Sequence, residues 1–269
     1  MFDLAARTRS TIQHAGEVLY RLADGVSRTP FRGEHHPLPT PIAVGERSID
    51  TVDDLAAFTG LARPIIEREL RQRRAINFRN EWLATPAALR TDHWYYLSSK
   101  TYLFANATHF SDDAFVRDFV QLHVPTGARA LEFGGGTGEL TLRLASAGVS
   151  TTYVELNALQ RDFVSFRVAR HGLTDLIDVV PHWAPVPKNA FDAVIAIDVI
   201  EHLSDARRVM ADVLLPSLRR DGVFVENSPF EVNASNPMHH IDFGFDRFMR
   251  NQAFALIAQH TDKTRVWRR

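Results

Sequence analysis

The stretch Glu132-Phe133-Gly134-Gly135-Gly136-Thr137-Gly138 sets a carboxylate just ahead of a Gly-x-Gly-x-Gly run. Gly134, Gly136 and Gly138 allow positive φ and a close approach of backbone to ligand. The spacing differs from Gly-x-Gly-x-x-Gly, the dinucleotide fingerprint. Glu132 sharpens that contrast. Beside a bound pyrophosphate it would be repelled, whereas it suits a ligand carrying a sulfonium and an α-amino group. A second carboxylate stands in Tyr153-Val154-Glu155-Leu156. At the end of a strand, Glu155 can accept hydrogen bonds from both hydroxyls of a ribose.

These residues need strands and helices to position them. The apolar periodicity predicts helices over 112–122, 139–147, 158–171 and 206–219, and a last helix over 247–260. It predicts strands over 128–133, 151–155, 176–180, 193–197 and 222–226, with a sixth over 264–267. Strands alternating with helices give an α/β fold, a doubly wound, mostly parallel (Rossmann-like) sheet. In such a sheet ligands bind beyond the C-terminal strand ends at the topological switch point, where the glycine loop falls. No sequence stands out for a seventh strand. A sheet edge shortened in this way calls for cover by the N-terminal region or by another subunit.

Residues 1–111 read as a separate capping or dimerisation region, and residues 112–269 as the α/β domain. Residues 1–27 have helical spacing, and prolines at Pro30, Pro37, Pro39 and Pro41 make 28–45 a linker or extended arm. Helical spacing recurs over 52–60 and 64–74, and residues 75–83 read as a small β wing, giving a winged-helix-like unit. Arg68, Arg71, Arg73, Arg74 and Arg79 could touch phosphates, but Glu67 and Glu69 interleave them as on a solvated face. The aromatic stretch over 91–111, with Trp94, Tyr95, Tyr96, Tyr102, Phe104 and Phe110, suits packing or a lid over a pocket.

With these motifs in place, residues 128–203 resemble the core of class I S-adenosylmethionine-dependent methyltransferases. Leu131 to Gly138 resembles their first motif, Tyr153-Val154-Glu155 their second, and Phe191 to Leu203 their fourth-strand motif. The resemblance implies S-adenosyl-L-methionine as cofactor. The residues it assigns to that ligand are Glu132, Gly134, Gly135, Gly136, Gly138, Glu155, Leu156 and Asp198. Many relatives carry an aspartate after strand 3 for the adenine amino group. Here Val180-Pro181-His182-Trp183 stands there, so His182 or a backbone carbonyl replaces it, with Trp183 to stack on adenine.

Methyl transfer from a sulfonium is an in-line displacement in which positioning supplies much of the acceleration. A hydroxyl acceptor also gains from a general base. His202, directly after strand 4, and His240, in Met238-His239-His240-Ile241 after strand 5, are the catalytic candidates, with His109 behind them. The Glu201-His202 pair is also found in relatives as plain structure. The metal ligands, if any, are left unknown. Asp198-x-x-Glu201-His202 with His240-x-Asp242 resembles metal-dependent small-RNA 2′-O-methyltransferases, but Phe243 occupies their last histidine position.

Composition narrows the function classes. The chain has 269 residues, no cysteine, and a formal net charge of −1. Disulfides, cysteine metal sites and thiol catalysis are excluded. A dedicated nucleic-acid binder is more often strongly basic, which disfavours nucleic acid as partner. No apolar run is long enough to span a bilayer, and residues 1–10 lack a signal-peptide core. The expectation is a cytoplasmic enzyme, possible as a homodimer through its N-terminal region, that methylates a small-molecule acceptor at oxygen. The alternatives are a metal-dependent RNA 2′-O-methyltransferase and a cofactor-sensing regulator whose winged helix binds DNA.

Overall fold

The computed structural model describes residues 49–73, 76–91, 95–97, 99, 102–109, 114–234, 236–260 and 263–269. The expected helix over 1–27, the arm over 28–45 and the side chains of Trp94 and Phe110 lie outside the described residues. Residues 39–269 make one compact unit.

The unit begins with helices. Asp50 caps α1 (Thr51–Thr59), its carboxylate accepting from the Val52 and Asp53 amides at 2.8 and 3.2 Å. Gly60, at φ 72°, closes the helix in the left-handed conformation. α2 (Arg63–Arg73) and α3 (Ile76–Ala84) follow, then α4 (Tyr102–His109) and α5 (Ala114–His123). The expected β wing over 75–83 is corrected here, because Ile76–Ala84 is helical. Trp82 is buried edge-on against Tyr95, ring centroids 4.9 Å apart.

The sheet has seven strands in the order β3-β2-β1-β4-β5-β7-β6. β1 (Arg129–Phe133), β2 (Ser150–Glu155), β3 (Ile177–Pro181), β4 (Phe191–Ile197) and β5 (Leu218–Asn227) are parallel. Between them run α6 (Glu139–Ser146), α7 (Ala158–Arg170) and a helical segment, α8, made of Ala206–Val209, a π turn over Met210–Leu214 and Leu215–Ser217. Burial on both faces explains the near-continuous apolar strands. In β4, Val194 and Ala196 join one core layer with Met210 and Met249, while Ala193, Ile195 and Ile197 join the other with Leu140 and Val120. That is the two-residue period of a strand.

The C-terminal end differs from expectation. The last helix, α9, is confined to Phe245–Asn251, and residues 255–259 form β6 (Ala255–Gln259) instead of continuing it. The break lies at Ala253, which adopts φ 62°, while the Phe254 amide returns to the Met249 carbonyl at 3.0 Å. β7 (Arg265–Arg268) then inserts antiparallel between β5 and β6. The seventh strand therefore exists, and the sheet is not shortened. β6 is the edge, with Leu256 and Ile257 each 44% exposed.

α1, α2 and α4 dock on α7. Leu55, Phe58, Ile66, Leu70 and Leu103 surround Phe163 in one buried cluster. Beneath it lies a buried ion network. Asp54 meets Arg167 at 2.8 Å, Arg170 at 3.1 Å and His171 at 2.9 Å.

Candidate active site

β1 ends at Phe133 and the glycine loop turns the chain into α6, whose first residue is Glu139. Gly134 has φ 73°, and a Cβ on it would lie 2.6 Å from the Val199 side chain. Gly136 has φ 56°, and a Cβ there would lie 2.8 Å from Asn106. Both positions therefore favour glycine for conformation, and Gly134 also for space beside the stiff Val199 side chain. We expect Gly134→Ala to destabilise the fold by about 1–2 kcal/mol from backbone strain alone. Thermal melts read that loss, and an unchanged melting temperature would contradict the turn described here.

Glu155 sits, buried, at the end of β2. Its Oε2 accepts from the Gly136 amide at 3.3 Å and its Oε1 from the Asn157 amide at 2.8 Å. Burial pushes its carboxyl above the usual range, against the pull of those amides. Glu132 lies behind the loop, buried, accepting a hydrogen bond from the Thr141 hydroxyl. Burial lifts its carboxyl to about 8. A cationic group near it would favour the charged form again.

A cleft of about 320 Å³ opens at these strand ends. Of the residues expected to hold a cofactor, Gly134, Glu155, Leu156, His182 and Asp198 line it, together with His202. Glu132, Gly135, Gly136, Gly138 and Trp183 stand around it and do not form its wall. The Trp183 ring lies under the Arg161 guanidinium at 5.2 Å and edge-on to His182 at 4.9 Å. Arg161 in turn donates to the Glu155 and Leu156 carbonyls at 2.8 and 2.6 Å.

The aromatic stretch supplies part of the wall. Tyr96 and Tyr102 line the cleft. Asn157, the N-cap of α7, donates to the Tyr96 carbonyl at 2.7 Å and so draws that segment over the strand ends. The Tyr96 hydroxyl and His202 Nδ1 are 2.7 Å apart.

β4 ends at Ile197, and Asp198 follows with φ 52°, its amide bonded to the Asn227 carbonyl at 2.8 Å. That left-handed residue turns the chain into the short helical turn Ile200–His202. Glu201 points inward, 0% exposed, and neither carboxylate oxygen has a hydrogen-bond partner. Burial, then the charge of Asp198, holds its carboxyl well above the usual range. The histidine that faces His202 is His239, ring centroids 4.5 Å apart. His239 Nδ1 lies 2.8 Å from the Pro229 carbonyl, and burial lowers its basicity. His240 bonds through its backbone amide to the Glu201 carbonyl at 2.7 Å and lines a neighbouring cavity of about 530 Å³. The two cavities share Leu203, Ser204, Asp205 and Arg208. His109 is in α4. Sequence reasoning thus weighted His240 over His239, and only the course of the loop after β5 distinguishes them.

An open α/β sheet with a glycine loop after its first strand and an acidic end to its second defines a class of nucleotide-binding folds. Residues 131–225 match the methyltransferase domain family, and that part of the chain is a class I methyltransferase domain. Its cofactor is S-adenosylmethionine. The residues present fit it: the loop is cut to glycine size at Gly134, and Gly134 and Glu155 face the cleft. No curated protein matches the chain.

Several solved structures are similar to part of this chain. A cyclase, SpnF, is 20% identical at a TM-score of 0.46, over 54% of this chain and 57% of that one. Phosphoethanolamine N-methyltransferase 2 of Haemonchus contortus, solved with S-adenosyl-L-methionine, is 18% identical at 0.46, over 66% and 44%. An S-adenosylmethionine-dependent methyltransferase of Mesorhizobium loti is 14% identical at 0.47, over 57% and 96%. The chain thus spans little more than half of SpnF and less than half of the nematode enzyme. Among the described residues no helix is long and apolar enough to cross a membrane.

Proposed function

We propose that the protein transfers the methyl group of S-adenosylmethionine to a hydroxyl oxygen of a small-molecule acceptor. The observation that carries this reading is His202 on the wall of the cofactor cleft, with its Nδ1 engaged by the Tyr96 hydroxyl. When bound, the cofactor supplies a methyl carbon on a sulfonium. The acceptor oxygen forms a bond to that carbon as the carbon–sulfur bond breaks, and the hydroxyl proton passes to His202. The adjoining cavity of about 530 Å³ offers room for the acceptor and falls in the usual range for small ligands. Phe230, Phe243 and Phe248 give it an apolar wall, with Arg207 and Arg208 at its rim. The net charge of −1 supports a small acceptor over a nucleic acid.

His202→Gln is expected to lower kcat roughly 10²–10⁴-fold, the range for loss of a general base. Binding of S-adenosylhomocysteine should persist in that variant. Incubating wild type with metabolite extracts and the methyl donor, and following products by mass, identifies the acceptor. Equal kcat in variant and wild type would remove His202 from the chemistry. Methylation of carbon or nitrogen alone would overturn the hydroxyl assignment.

A further inference from the structure

We propose that Glu201, His202 and His239 form a binding site for a divalent transition-metal ion. Each offers one ligand atom, and the atoms lie within 4.8 Å of one another. The site is assembled from two loops, since Glu201 and His202 follow β4 and His239 follows β5. The His240 amide, bonded to the Glu201 carbonyl at 2.7 Å, ties the loops together.

Glu201 makes the case. Its side chain is 0% exposed and both of its oxygens lack a hydrogen-bond partner. A buried carboxylate without partners is costly, and buried charges are paired or coordinate metals. His202 Nε2 lies 3.9 Å from Oε1 of Glu201.

The histidines are oriented as ligands are. Nδ1 of His239 donates to the Pro229 carbonyl at 2.8 Å, which leaves the Nε2 lone pair for an ion. Nδ1 of His202 is engaged by the Tyr96 hydroxyl at 2.7 Å, so its Nε2 is the atom turned toward Glu201. Outer hydrogen bonds of this kind fix the tautomer and ring orientation of metal-bound histidines. Two imidazoles and one carboxylate suit Zn²⁺, Mn²⁺, Fe²⁺ or Co²⁺, and not Mg²⁺ or Ca²⁺, which prefer all-oxygen shells. Three protein ligands leave coordination positions open, as in catalytic sites. Resting on the hydroxyl-methylation reading, such an ion would bind the acceptor oxygen and lower its pKa, so that in the metal-loaded protein His202 would be a ligand and the proton it takes in the metal-free protein would pass to water.

Titration of chelator-treated full-length protein with Co²⁺ alone tests the site, read by visible absorption and calorimetry. The expected result is saturable binding of one ion per chain. Glu201→Gln and His239→Ala should each weaken it by roughly tenfold or more, and His240→Ala should leave it intact. S-adenosylhomocysteine binding, measured on each variant, reports that the fold persists and tests the cofactor reading separately. No saturable Co²⁺ binding by the wild type would overturn the site. So would equal affinity in the Glu201→Gln and His239→Ala variants, or a response to Mg²⁺ without one to Co²⁺.

Discussion

Glu155→Ala should weaken binding of S-adenosylhomocysteine by about 100-fold, with no loss of secondary structure. The carboxylate has roughly four acceptor positions, and the Gly136 and Asn157 amides take one on each oxygen. Capacity remains for two ribose hydroxyls. Hydrogen bonds to a charged group contribute about 1.5–3 kcal/mol each, and two at the lower end give roughly two decades in Kd. The same substitution leaves the Gly136 amide without its acceptor, which loosens the glycine loop and adds to the loss. Glu155→Gln keeps the shape and one carbonyl acceptor, so it should fall between. Calorimetric titration of wild type and both variants checks the order. Equal affinities would move the cofactor away from the end of β2.

The second large effect concerns stability. Asp54→Ala should destabilise the fold by about 3 kcal/mol, the lower end for breaking a buried pair, because the buried Arg167 loses one of its two carboxylate partners and keeps only Glu139. Arg167 is 0% exposed and Asp54 1% exposed, so water cannot replace the lost partner. Asp54 also faces Arg170 and His171. Burial raises its carboxyl, but the His171 hydrogen bond and the Arg167 charge outweigh burial and hold it below the usual aspartate range. The sign follows from that depression. The stabilisation is fully present above the unfolded-state value and is lost as pH falls through the lower, folded value. Denaturant melts from neutral pH down to about pH 3 should therefore show wild type and Asp54→Ala converging at the acid end. A constant gap across that range would show that the charge of Asp54 is not what stabilises the helices on α7.

Much of this architecture was legible in the sequence. β1, β2, β4 and β5 were marked by apolar runs buried on both faces, and the glycine loop by residues that no other geometry requires. Glu132 and Glu155 stood out because carboxylates at strand ends are costly without a purpose. The C-terminal strands were obscure for a physical reason. Ala255-Leu256-Ile257-Ala258-Gln259 has good helix formers, and the chain reverses at Ala253 in a left-handed conformation with no glycine to announce it. Residues 76–84 misled in the opposite direction, because aromatic and β-branched residues in a short run mimic a strand when tertiary packing favours a helix. Within the site, Tyr96 appeared only as one aromatic among many. Its partnership with His202 spans 106 positions, and no local pattern encodes so distant a contact. The choice between His239 and His240 was equally hidden, since neighbours in an irregular loop carry no periodicity.

Arg167 bears on more than stability. Its Nε binds Asp54 of α1, its Nη1 donates to the Thr137 carbonyl inside the glycine loop, and its Nη2 reaches Glu139 and Thr51. One guanidinium thus holds the first helix and the cofactor loop in the same set of bonds. Two events that share such a set are thermodynamically linked, and the linkage is reciprocal. Whatever orders the glycine loop also favours the seat of α1, and whatever lifts α1 weakens the loop's grip on its ligand by the same free energy. The helical region would then act as an adjustable affinity control, read out through cofactor occupancy.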